Sequence, residues 1–209
     1  MNEPYFWDSI IKDAPICRDL LDNYQQIKAE VLEYVKDPTT LHDYPKYRVH
    51  YNNTDYNLYD HYWKAVPMSQ YEKEYIDQKA NPEQMKYIQS IIARSKKACP
   101  TVDKIISKLE QEGNLVNSFV SRLIPGSVIH PHDGTSPNFM RIHLCLIEDP
   151  GCKITVGSET RTWEEGKLLA FKDGGPYLHS VKHDGKSERI VLSVDVRMDP
   201  ILRPYMNYV

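Results

Sequence analysis

The sequence predicts a mainly β chain, a barrel or jelly roll with helices packed against it. Between residues 117 and 196, short runs rich in β-branched and aromatic residues alternate with turn signals, the pattern of a closed or double-layered β fold. Before Gly113, apolar residues recur at intervals of three and four, the spacing of amphipathic helices. With 209 residues the chain is long enough for one substantial core and short for two. The expected organisation is one domain over residues 1–209, with a mainly helical part at 1–113, a β core at 114–200 and a C-terminal tail at 201–209.

Taken in order, Leu20, Leu21, Tyr24, Ile27, Val31, Leu32 and Val35 predict one helix from about Ile16 to Lys36, stopped by Pro38. Thr39 to Asp60 is tyrosine-rich and reads as irregular, with Asn52, Asn53, Asp55 and Asn57 supplying turn chemistry. A second helix is predicted to start with Asn81 as N-cap and Pro82 at its first position, running through Met85, Ile88, Ile91 and Ile92 to Lys97. A third follows Pro100-Thr101, carries Val102, Ile105, Ile106 and Leu109 on one face, and closes at Gly113. Strands are predicted at about 117–124, 141–147, 153–156, 159–163, 167–171, 177–183 and 189–196. Pro125-Gly126, Asp149-Pro150-Gly151, Gly157-Ser158, Glu165-Gly166, Gly174-Gly175 and Asp184-Gly185 punctuate them.

Composition narrows the function. A net charge of -3 gives no electrostatic case for nucleic acid. No apolar run approaches the roughly 18–20 residues of a membrane span. Cys17, Cys99, Cys145 and Cys152 form no CxxC pair, and the opening MNEPYFWDSI lacks a signal-peptide pattern, so a reducing, cytoplasmic setting is expected. Cys145 and Cys152 read as small buried hydrophobes with no base beside them, not as nucleophiles.

Chemistry concentrates between Ser121 and Val196, which holds five of the eight histidines. His132 follows a strand-like segment, His179 lies near the end of a later one, and Arg189 comes ten residues after His179. His130, two residues from His132, would share its face on an extended strand and could compete for the same partner. Asp133 reads as a turn residue.

These residues sit within linked motifs: Pro131-His132-Asp133-Gly134, Arg141-Ile142-His143-Leu144, Gly151-Cys152-Lys153-Ile154, the run Glu159 to Lys167, and the His179 to Arg189 spacing. In that order, from roughly Trp63 to Pro200, the chain resembles the aspartyl/asparaginyl β-hydroxylase family, a double-stranded β-helix group of iron(II)- and 2-oxoglutarate-dependent oxygenases. The resemblance implies His132 and His179 as iron ligands, with Ser121 and Arg189 holding the distal carboxylate of 2-oxoglutarate. It further implies His143 as a residue that helps seat the co-substrate and Arg141 as one that faces the co-substrate or a substrate carboxylate. Asp173 is implied beside the iron, placed to hold a water there. The residue types suit the roles: imidazole nitrogen favours iron(II), and a forked, permanently charged guanidinium matches a carboxylate.

One feature follows the family and two depart from its pattern. Gly134 occupies the place where many oxygenases of the broader class carry a third, carboxylate ligand; its absence matches the family and leaves room for water or halide. Gly-Gly-Pro-Tyr-Leu between Asp173 and His179 is two residues longer than the family spacing. Phe139 stands where hydroxylases of aspartyl side chains have a second arginine, which weakens the case for an acidic substrate. The implied reaction is hydroxylation of an unactivated carbon of an amino acid, free, peptidyl or carrier-bound, using dioxygen and releasing succinate and carbon dioxide. Halogenation at the same centre and a non-catalytic β-barrel binding module are the competing readings.

Overall fold

The computed structural model describes residues 3–44, 48–69, 82–134 and 136–206. Three helices open the chain: α1 (Asp8–Asp13), α2 (Pro15–Asp22) and α3 (Tyr24–Tyr34). A single helix was expected over the last two. The chain breaks at Asn23, whose side chain donates to the Asp19 carbonyl, yet the apolar phase runs straight through, so Ile16, Cys17, Leu20, Ile27 and Val31 are all buried together. Helices α4 (Pro82–Ala98) and α5 (Pro100–Gln111) follow the predicted bounds closely. Asn81, read as the N-cap of α4, lies outside the described residues.

The segment expected to be irregular is instead largely extended. It contributes β1 (His42–Asp43), the hairpin β2 (Arg48–Tyr51) and β3 (Thr54–Asn57), and β4 (Tyr59–Asp60); β5 (Lys64–Pro67) follows it. Asn52 and Asn53 take the positive φ angles that a tight hairpin turn requires. The β core then runs β6 (Leu115–Leu123), β7 (Val128–His132), β8 (Phe139–Ile147), β9 (Cys152–Val156), β10 (Glu159–Thr162), β11 (Leu168–Lys172), β12 (His179–His183) and β13 (Arg189–Arg197). All seven predicted core strands are present, and β7 is an eighth. Its Pro131 and flanking histidines hid it from a propensity reading.

Apart from the separate β2-β3 hairpin, the strands form two facing sheets, a six-stranded one ordered β1-β5-β6-β13-β8-β11 and a five-stranded one ordered β10-β9-β12-β7-β4. The result is a mainly β double-stranded β-helix with helices packed on one side. The larger sheet is covered on both faces, which explains its near-continuous apolar runs. Along β13, Ile190, Leu192, Val194 and Val196 face the helices, packed with Ile106, Val102 and Ile27. Val191 faces the other way, into a second core with Leu123, Cys145, Cys152, Ile154 and Trp163 between the sheets. Because side chains alternate along a strand, Arg189 and Asp195 share the inward face with Val191, Arg141 and His143 share it with Cys145, and Ser121 shares it with Leu123. The polar residues of the β core therefore converge on one interior. Among the described residues no helix is long and apolar enough to cross a membrane.

Candidate metal and co-substrate centre

His132 and His179 come from adjacent antiparallel strands, the end of β7 and the start of β12, where they are directly paired in register. Their rings lie 4.2 Å apart between centroids, and both side chains are buried. The Nδ1 of His132 is 2.7 Å from the His130 carbonyl, which makes that nitrogen the donor and leaves Nε2 with a free lone pair. The Nδ1 of His179 is buried with no hydrogen-bond partner. Burial holds the pKa of His132 below its usual value and that of His179 well below it, with charge repulsion from His132 and Arg141 adding to the shift at His179. Two neutral imidazoles facing one another are what a divalent metal needs from its nitrogen ligands.

Asp173, in the turn after β11, brings a third polar group to this point: its Oδ1 is 3.6 Å from His179 Nε2. The loop is stitched to the His132 segment by a 2.7 Å bond from the Gly134 N–H to the Asp173 carbonyl. A Cβ placed on Gly134 would fall on the Asp173 carboxylate. Gly134 has no positive φ, so it is glycine for want of space. Among the described residues no set of three or more His, Cys, Asp or Glu is arranged to hold a metal, so the chain offers a metal the histidine pair, with the Asp173 carboxylate alongside.

Arg141, expected to face the co-substrate or a substrate carboxylate, is engaged by the chain itself. Its Nε and Nη2 bind the two oxygens of Asp195 at 2.8 Å each, and its Nη1 is in ion-pair contact with Asp173. The cause is register: Asp195 on β13 lies directly beside Arg141 on β8, and both face the same interior. Asp195 is fully buried, and burial raises its pKa while the guanidinium pulls it down. No sequence motif pointed to Asp195; the signal was one aspartate at inward phase within the apolar run Ile190 to Val196.

Arg189 and Ser121 do meet. Arg189 Nη1 lies 3.2 Å from both the carbonyl and the hydroxyl oxygen of Ser121, and the same hydroxyl accepts from Trp63 Nε1 at 2.9 Å. The guanidinium lies over Trp163, 4.7 Å from its ring centre, beside the thiols of Cys145 and Cys152. Its Nε is buried without an acceptor, and among the described residues no carboxylate pairs with it. Burial lowers its pKa accordingly. A buried guanidinium with only neutral partners is costly unless an anion joins it. His143 lies in the same interior, its Nδ1 3.3 Å from Trp163 Nε1, and burial with the fields of Arg141 and Arg189 holds it neutral.

The remaining residues separate cleanly. His130 turns away from His132: its Nε2 is 2.7 Å from Asp60, and its ring stacks on Tyr56. Asp133 is exposed. The Cys145 thiol is pushed up to about 12 by burial, which fits the reading of it as a core residue.

These residues fit iron(II) and 2-oxoglutarate on their own chemistry: paired neutral imidazoles, an adjacent carboxylate and an unmatched guanidinium within one interior. The chain has relatives of known name. The chain is 36% identical over 111 residues to the mouse aspartate beta-hydroxylase domain-containing protein 2, covering 50% of this chain and 32% of that protein. It is 47% identical over 73 residues to the mouse aspartyl/asparaginyl beta-hydroxylase, covering 34% of this chain and 10% of that one. The chain thus spans a third or less of the length of these relatives. Among solved structures, a Pseudomonas putida prolyl-4-hydroxylase superposes with a TM-score of 0.44 at 16% identity, covering 83% of this chain and 86% of that chain. The match that embraces the whole site is to a family model over residues 21–199, from within α2 to just past β13, and by it the chain belongs to the aspartyl/asparaginyl beta-hydroxylase family.

Proposed function

We propose that the protein is an iron(II)- and 2-oxoglutarate-dependent dioxygenase that hydroxylates an unactivated carbon of an amino acid, free, peptidyl or carrier-bound. The observation that carries this reading is the pairing of two buried, neutral histidines with a buried arginine that no carboxylate pairs with among the described residues. His132 and His179 would hold the metal. Arg189 and Ser121 would hold the distal carboxylate of 2-oxoglutarate, and His143 would line the same pocket. Iron held by His132 and His179 would activate dioxygen, so that one oxygen atom goes to the C–H bond as hydroxyl and the other to 2-oxoglutarate, which leaves as succinate and carbon dioxide.

The chain's own contributions are position and polarity. The His130 carbonyl fixes the tautomer and tilt of His132. Trp163 beneath Arg189 and Trp63 behind Ser121 hold the anion anchor in place and keep water from the guanidinium. Because Arg141 is satisfied by Asp195 and Asp173, it leaves no cation there for a substrate carboxylate. A substrate with a neutral group at the reacting carbon therefore fits this centre better than an acidic side chain does. The halogenase reading needs a place for halide at Gly134, and the Asp173 carboxylate already fills it.

The test is succinate formation from 2-oxoglutarate in the presence of iron(II) and dioxygen. Arg189→Ala should raise the concentration of 2-oxoglutarate required by at least roughly tenfold, since one charge-assisted bond is worth about 1.5–3 kcal/mol and 1.4 kcal/mol is a decade. An unchanged requirement would remove Arg189 from the site, and no succinate under any condition would favour the binding module.

A further inference from the structure

We infer that Asp195 is a positioning residue for the metal centre: through Arg141 it pins the Asp173 carboxylate in the space opened by Gly134, against the histidine pair. The inference rests on the two-histidine reading above and concerns how the chain completes that site.

Three observations carry it. The first is the geometry of the guanidinium. Asp195 takes Nε and Nη2 in a two-pronged contact, each at 2.8 Å, which fixes the plane of the Arg141 fork. The other terminal nitrogen, Nη1, contacts Asp173 at Oδ1. The orientation that Asp195 gives the guanidinium therefore sets where the Asp173 carboxylate sits. The second is the fit at Gly134. Asp173 Oδ2 lies where the Cβ of residue 134 would be, so the carboxylate that a longer residue at 134 would have supplied from the strand arrives from the β11–β12 loop instead.

The third is continuity. Arg141, Asp173 and Asp195 are all buried, and Asp173 Oδ1 lies 3.6 Å from His179 Nε2, so an unbroken series of contacts runs from Asp195 through Arg141 and Asp173 to the histidine pair. With the Asp195 charge removed, the two-pronged contact weakens and the guanidinium that holds Asp173 is no longer fixed in place.

The experiment is a titration of the full chain with Mn(II), a redox-inert probe, followed by its electron paramagnetic resonance signal, with thermal melts on each variant. Asp195→Asn keeps the shape of the side chain and removes its charge. It should weaken Mn(II) binding by about tenfold or more, the usual effect of losing a group that orients a metal site. Asp173→Asn should do the same, and the double variant should be no weaker than Asp173→Asn alone, because both act on one carboxylate. Gly134→Ala approaches from the other side: its methyl displaces Asp173 with the clamp intact, and it should match Asp173→Asn.

A purely architectural Asp195 would lower the melting temperature and leave Mn(II) affinity at the parent value, which overturns the inference. So would losses that multiply in the double variant, or a Gly134→Ala chain that binds as the parent does; the last keeps the test decisive if Asp195→Asn does not fold. A parent chain that binds no Mn(II) overturns the two-histidine reading itself, whereas a parent that binds equally well with and without Asp195 overturns only the positioning role.

Discussion

The two histidines carry opposite consequences for a third one nearby. His132 and His179 present their rings to one another, while His130 spends its ring on Asp60 and Tyr56 and gives the site only its backbone carbonyl. Replacing either His132 or His179 by alanine should therefore abolish Mn(II) binding, because a two-histidine site has no spare protein ligand. His130→Ala keeps the carbonyl and should bind within a few-fold of the parent in the same titration; equal loss in all three would show that the His130 ring is a ligand. The sequence could not separate these residues, since positions two apart on a strand share a face in principle. The separation comes from Pro131 and the irregular pairing of β7 with β12 between His179 and Val181. Arg141 was legible as a motif residue and illegible in its partner. Nothing in Ile190 to Val196 distinguishes a buried counterion from an ordinary polar interruption until β13 is placed beside β8.

The elements were readable wherever local period and core phase coincide. Helices α4 and α5 and the seven core strands fall near their expected bounds for that reason. The helix break at Asn23 escaped because the apolar phase is unbroken across it, and β1 to β5 escaped because strands this short are set by what they pair with. Long-range turn anchors are a further case. Asp149 ends the β8–β9 turn by accepting from Gly151 N–H, and its other oxygen accepts from Lys186 N–H, Ser187 N–H and the Ser187 hydroxyl, tying that turn to the β12–β13 loop. The Ser187 hydroxyl, helped by the backbone donors, pulls the Asp149 pKa far below the usual carboxylate range. A depressed folded-state pKa gives stability that is fully present above the unfolded value of about 4 and is lost as pH falls through the folded one. Asp149→Asn should thus melt several degrees lower than the parent at pH 7, and the gap should narrow as pH drops below about 4. Thermal melts across pH check this; a gap independent of pH would mean that shape, not charge, holds the turn.

At the scale of the whole molecule, the interior between the sheets buries two guanidinium groups in different company. Arg141 is paired with Asp173 and Asp195 beside the histidines, whereas Arg189 lies over Trp163 with no carboxylate partner among the described residues. An unpaired buried charge is costly in the free chain, and under the proposed function the distal carboxylate of 2-oxoglutarate would offset it. Stability and function should then trade against each other at Arg189. Arg189→Met replaces a buried unpaired charge by an apolar chain of similar reach, an exchange that removes the cost of desolvating that charge. The ligand-free variant should melt at or above the parent's temperature. The parent, with 2-oxoglutarate at a hundred times its dissociation constant in the presence of Mn(II), should gain about 2.7 kcal/mol, or roughly 5–11 °C for a chain of this length at about 2–4 °C per kcal/mol. Arg189→Met should show almost none of that gain. Differential scanning calorimetry with and without 2-oxoglutarate measures both effects at once. A variant that melts well below the parent when ligand-free would show that Arg189 is a structural residue already satisfied by Ser121 and Trp163, and one that keeps the full ligand-induced rise would show that the dicarboxylate binds elsewhere.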